Sequence, residues 1–201
     1  MSPSNTAEAP TRRWRYRLYI ALATVVLVVL GGWFLLSDEK SATDHVQDAA
    51  AEMRGGDLNK AAEIFGLDDV ESSDYRFVAW HIGWDAEPVF SEIVESQGSG
   101  DNTNFTGVVT YGDDSFYSKA IGETAATTVR GWVDEDGTVF VSSWPPPDGL
   151  TETEAELRPW VEANRPELVA EMFGSDFGGI HFSQRSGELR MEVLDDFLAT
   201  R

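Results

Sequence analysis

Apolar positions change period along this chain, and the first apolar stretch has no period at all. Leu18 to Leu36 is a run of nineteen uncharged, almost wholly apolar residues. At about 1.5 Å of rise per residue, a helix of that length crosses roughly 30 Å of hydrocarbon. Inside lipid every backbone N–H and C=O must be satisfied within the segment, so the run predicts a single transmembrane helix. Trp14, Tyr16 and Tyr19 lie before or at its start and Trp33 and Phe34 near its end, where rings meet headgroups. Arg12, Arg13, Arg15 and Arg17 flank it on the N-terminal side, Asp38 and Glu39 on the other. The positive-inside rule therefore predicts a cytoplasmic tail over 1–17, a span over 18–36, and an extracytoplasmic remainder. A cleaved signal peptide has a shorter apolar region and a small-x-small site. Here the run leads into Ser37-Asp38-Glu39-Lys40, so an uncleaved anchor is expected. Gly31-Gly32 would allow close helix approach, but no small-residue ladder continues from it.

Past a polar linker at 37–43 the period becomes helical. Asp44 is expected to cap a helix carrying Val46, Ala49, Ala50 and Met53 on one face, ended by Gly55-Gly56. Asp57 caps a second helix with Leu58, Ala61, Ala62 and Phe65 inward. The string GGDLNKAAEIFG resembles the turn and second helix of a tetratricopeptide-type hairpin, but it does not recur, and such solenoids need several stacked repeats.

From Asp74 the period changes to two. Tyr75 to Ile82 is apolar on both faces and predicts a covered strand. Val89–Val94, Phe105–Tyr111 and Phe116–Ile121 read as further strands. Thr127–Val133 and Thr138–Trp144 form the clearest hairpin, joined by Asp134-Glu135-Asp136-Gly137. Trp144-Pro145-Pro146-Pro147 breaks the sheet as a stiff polyproline stretch. Thr151 and Glu154 make a capping box for a helix that Pro159 kinks or restarts, and Asn164 with Pro166 opens another ending at Phe173-Gly174. A last hairpin joins Ile180–Gln184 to Leu189–Val193, and a helical turn follows from Asp195. The expected fold is α+β, one domain over 44–201, with a mostly antiparallel sheet of about five or six strands and helices at both ends.

Charge narrows the function classes. Of 35 acidic residues only Glu8 precedes the apolar run, and of 15 basic ones only the four arginines do, so the part beyond it carries a formal charge of −23. Such a field repels nucleic acid and anionic headgroups and suits basic partners or divalent cations. The chain has no cysteine, which removes disulfides, thiol catalysis and zinc–thiolate sites together.

Candidate chemistry is sparse. His81 and Asp85, in HIGWD, are the most suggestive pair, since a histidine beside a carboxylate acts as a base or binds a metal; a buried, hydrogen-bonded histidine fits the same pattern. His45 and His181 complete the histidines, without metal-ligand spacing. Asp113-Asp114 and the 134–137 turn lack the alternating ligands of a calcium loop. Trp132 and Trp144 form an aromatic platform if they share a face of the hairpin, or pack beneath the following helix. Asn104-Phe105-Thr106 is a glycosylation acceptor pattern in cells that modify exported chains. No catalytic residues and no cofactor are expected. The reading is a single-pass cell-membrane protein, held in the bilayer by 18–36, whose acidic domain docks an envelope protein or supports an assembly. A small-ligand or metal sensor is the alternative, and an anchored carboxylate-dependent hydrolase ranks below it.

Overall fold

The computed structural model describes residues 40–201. The apolar run 18–36, its flank Arg12, Arg13, Arg15 and Arg17, the tail and most of the linker lie outside the described residues. Among the described residues no helix is long and apolar enough to cross a membrane.

Helix α1 spans Ala42–Arg54. The Ser41 hydroxyl accepts from the Asp44 N–H and the Asp44 carboxylate accepts from the Ser41 N–H, a reciprocal capping box. Asp44 thus sits inside the first turn and Ser41 is the cap, a shift of three residues from the expected start. Asp57 caps α2 (Leu58–Ile64) as expected, accepting from the Lys60 N–H. Tyr75 to Ile82, expected as a strand, belongs to helix α3 (Ser73–Gly83), capped by the Ser72 hydroxyl. Its buried positions Val78, Ala79, Trp80, His81 and Gly83 leave no continuous polar face. A helix covered on most sides has the same apolar run as a covered strand.

The sheet holds β1 (Val89–Gln97), β2 (Thr103–Thr110), β3 (Ala126–Val133) and β4 (Val139–Ser143), in that spatial order and antiparallel throughout. The fold is α+β, but the sheet has four strands, not five or six. Phe116–Ile121 is helix α4, closed by left-handed Gly122. The expected C-terminal hairpin is replaced by helix α7 (Gln184–Leu198), capped by Ser183. Between them lie α5 (Leu150–Asn164) and, after a 3-10 turn at Pro166–Leu168, the short α6 (Val169–Met172). Helix α5 begins after left-handed Gly149 with no side-chain cap and runs through Pro159, so Thr151 and Glu154 form no capping box.

Inward residues of the strands, among them Phe90, Phe105, Val109, Val129 and Val139, join Val46, Ala49, Ala50 and Met53 of α1, which touches all four strands. Glu154 points into the core instead of back along its helix. Its two carboxylate oxygens each accept from Arg190 at 2.8 Å, and its Oε1 accepts from the Tyr117 hydroxyl at 2.5 Å. Arg190 is wholly buried, and its other N–H groups reach the Ser186 carbonyl and hydroxyl and the Met172 carbonyl. Burial alone lowers the Arg190 pKa, but Glu154 and Tyr117 outweigh it and hold the guanidinium charged. A buried ion pair gives little net stability, whereas one partner left alone costs about 3–5 kcal/mol.

Helices α3 and α7 cross with Gly83 against Gly187. A Cβ on Gly187 would lie 2.6 Å from the Trp80 carbonyl oxygen and 2.7 Å from the Trp84 nitrogen, and one on Gly83 would run into the Gln184 carbonyl. Gly187→Ala is therefore expected to lower the unfolding free energy in urea by about 3 kcal/mol, the scale of an overpacked core. Gly55→Ala, at φ −72° with only ordinary contacts, should stay within about 0.5 kcal/mol of the unaltered protein. Equal effects of the two substitutions would refute the close crossing.

Candidate functional site

Helical spacing on α3 presents Phe77, Trp80, His81 and Trp84 to the interior at intervals of three and four. Tyr111 beyond β2, Tyr117 on α4, Trp144 beyond β4 and Phe182 before α7 close around them. Ring centroids are 4.2 Å apart for Phe77–His81, 5.1 Å for Trp80–His81 and His81–Trp144, and 4.9 Å for Trp84–Tyr117. Edge-on and tilted contacts predominate, as the ring quadrupole favours.

His81 is 1% exposed, with Nδ1 2.9 Å from the Phe77 carbonyl oxygen. A carbonyl only accepts, so Nδ1 carries the proton and Nε2 is a bare lone pair. That Nε2 is buried and has no partner. Burial pushes the imidazole pKa down to about 4, against the opposing bond to Phe77. The ring is neutral at pH 7.

The expected His81–Asp85 pair is not formed. Asp85 is exposed at φ 52°, one of two non-glycine left-handed residues, with Glu87, in the turn between α3 and β1, and no hydrogen bond links it to His81. His45 packs against Gly137, and His181 Nδ1 lies 4.0 Å from Asp176, so the three histidines do not converge. Among the described residues no group of three or more metal-ligating side chains is placed to hold an ion. The acidic turns serve the backbone and surface instead. Asp134 accepts from the Asp136 and Thr138 N–H groups, Asp113 accepts from the Thr124 hydroxyl, and Asp114 pairs with Lys119. Asn104 is exposed on β2.

Trp132 and Trp144 do come together, along one groove. Trp132 stacks on its cross-strand partner Phe140 with centroids 5.2 Å apart and planes 11° from parallel. Trp144 is half-buried and donates through Nε1 to the Tyr111 hydroxyl at 2.8 Å. The groove, about 510 Å³, follows β4 from Val139 to Trp144 and is walled opposite by Phe65, Leu67, Asp74 and Phe77. β4 pairs only with β3, and no backbone bond ties its other edge to the rest of the described residues. In an antiparallel ladder alternate residues turn their N–H and C=O groups away from the neighbour, so this edge offers free donors and acceptors beside an apolar trough. Phe65, Phe77 and Phe140 were not legible as groove residues. Each reads as an ordinary apolar position, and only the end of α2, the middle of α3 and a strand edge bring them together.

The depressed imidazole pKa links stability to pH. An unfolded histidine takes its proton near pH 6.5 and the folded one only near pH 4, so the unfolded state binds more protons between them. The stability held above pH 6.5 is lost as pH falls through this window and changes no further below it. The unfolding free-energy difference between the protein and His81→Phe should shift by about 3 kcal/mol from pH 7 to pH 4 in parallel urea titrations. A difference that does not vary with pH would mean that His81 is not held neutral in the fold.

Comparison of the chain with protein-family models, curated proteins and solved structures finds no match to any of them.

Proposed function

We propose that this chain is a single-pass membrane protein whose acidic α+β domain, outside the cytoplasm, docks an extended segment of an envelope protein along the free edge of β4. One observation carries the docking role, an unpaired strand edge lying beside a trough of aromatic and aliphatic side chains. Strand addition uses that combination. Main-chain hydrogen bonds supply affinity, and side chains at alternate positions of the incoming strand supply specificity. The partner segment accordingly alternates apolar residues, which enter the trough beside Phe65, Phe77 and Phe140, with polar ones facing away. A basic residue at the mouth of the trough meets exposed Asp74, and basic residues on the polar side meet the overall negative field. The domain acts here as a binder and not as an enzyme. Membrane attachment rests on the apolar run 18–36 and on the arginines before it.

The two halves of this reading are tested separately. A photo-crosslinking residue placed at exposed Ser142 in the native host is expected to give a discrete adduct with a second polypeptide. The adduct should disappear in the Trp132→Ala/Phe140→Ala double variant, and Glu152, exposed on α5, should give none. No adduct from Ser142, or the same adduct from Glu152, refutes docking at β4. For the anchor, protease added to intact cells should degrade the domain beyond residue 40 and spare a fragment holding the tail. A domain untouched by external protease would reverse the topology.

A further inference from the structure

Of the five asparagines in the chain, only Asn104 opens an acceptor pattern, Asn104-Phe105-Thr106, whose middle residue is not proline. All three residues lie on β2, an inner strand of the sheet. Side chains alternate between faces along a strand. Phe105 therefore enters the core, while Asn104 and Thr106 stand together on the outer face, both exposed. Directly paired residues of an antiparallel ladder share a face, with Cβ atoms about 4.5–5.5 Å apart. The register sets Ser96, Asn104, Trp132 and Phe140 in one row across the four strands. Trp132 thus neighbours Asn104 on one side and Phe140 on the other. Phe140 stacks on one face of the indole, with planes 11° from parallel, which leaves the opposite face on the β2 side. Val94, opposite Thr106 on β1, is 68% exposed, so apolar surface flanks the acceptor pattern on both neighbouring strands.

We propose that Asn104 carries an N-linked saccharide whose first sugar ring lies on the free face of Trp132. This site rests on the domain lying outside the cytoplasm, where exported chains meet a lipid-linked saccharide donor. Asn104 Nδ2 attacks the anomeric carbon of a polyprenyl-phosphate-linked sugar. The N–C bond forms as the bond from that carbon to the phosphate oxygen breaks. The phosphate leaves with the electron pair, and one amide proton passes to a base of the transferase. The Thr106 hydroxyl, two residues on and on the same face, completes the acceptor pattern. A pyranose presents an apolar face of C–H groups with slight positive charge, and the indole face is negative, so the two pack as a ring edge packs on a ring face. The saccharide covers half-buried Trp132 from the β2 side and leaves the β4 edge open beyond Phe140.

The test uses the full chain purified in detergent from its native host. Its intact mass is expected to exceed that of the sequence by a whole saccharide, and fragmentation should place the increment on Asn104. Thr106→Ala and Asn104→Gln, both at exposed positions, should each remove it. An unmodified mass, an increment on another residue, or one that survives Thr106→Ala overturns the site. External protease on the same cells separates this failure from that of the topology, since an unmodified domain still digested from outside leaves its placement standing. For the platform, nuclear Overhauser contacts are expected between the first sugar ring and the Trp132 indole, with sugar C–H resonances displaced upfield by the indole ring current. In Trp132→Ala those resonances should return to the positions of a free glycosyl-asparagine. A saccharide on Asn104 without Overhauser contact to Trp132 in the unaltered protein overturns the stacking, whether or not Trp132→Ala folds.

Discussion

Where α3 and α7 meet, backbone touches backbone. Gly83 and Gly187 leave no room for a single added carbon, and this closeness sets the neighbours of everything around it. It brings Ser186 and Arg190 of α7 under Trp80, with the guanidinium carbon 5.8 Å from the indole. A cation drawn that deep must be neutralised, and Glu154 of α5 is the group that does it. Tyr117 of α4 then takes up the carboxylate's remaining capacity. Four helices are fixed by one chain of necessity, from steric contact to buried charge to compensating carboxylate. The network is specific because it is fully satisfied. Every arm of the guanidinium has a carbonyl, hydroxyl or carboxylate to reach.

The same crossing explains what could be read from the residues and what could not. Hairpin β3–β4 was legible because β3 alternates and the turn after it ends in Gly137, in the left-handed region. Asp57 was legible as a cap because a short polar side chain before an apolar-periodic run has few other uses. Helix α7 was lost because Arg185-Ser186-Gly187-Glu188 has the composition of a turn. Gly187 is there for the contact with α3, a requirement imposed by a residue a hundred positions away. The buried stripe Ser186, Leu189, Arg190, Val193, Leu194 and Phe197 is plainly helical, but it includes an arginine that sequence reasoning assigns to the surface. Tyr75 to Ile82 failed for the opposite reason. A helix enclosed by others loses the polar face that gives it a period, and the capping Ser72 was the one local sign left.

The site was legible only as isolated residues. His81 stood out, but for the wrong partner. Asp85 beside it ends a helix in a left-handed turn, while the groups that matter to the imidazole are the Phe77 carbonyl and a ring of aromatics drawn from three segments. Trp132 and Trp144 stood out as large aromatics that either share a face or pack beneath a helix; the groove they both line is completed by Phe77 and by an open strand edge, which is a property of topology and not of residue type. Phe77, Ser143, Trp144 and Phe182 line both this groove and a second cavity of about 440 Å³ beyond Trp144, so one α3 side chain, the exit of β4 and the residue before α7 form the partition between two apolar recesses.

The close-set rings have an optical consequence. Trp80 and Trp84 lie 5.6 Å apart and Trp84 lies 5.1 Å from Tyr111, each pair tilted in a fixed handed arrangement. Chromophores this near mix their electronic transitions, and their rotational strength survives only while the rings are locked. Near-ultraviolet circular dichroism of the domain therefore originates largely in this one nest, and a compact state that kept its helices but let the rings tumble would become nearly silent there.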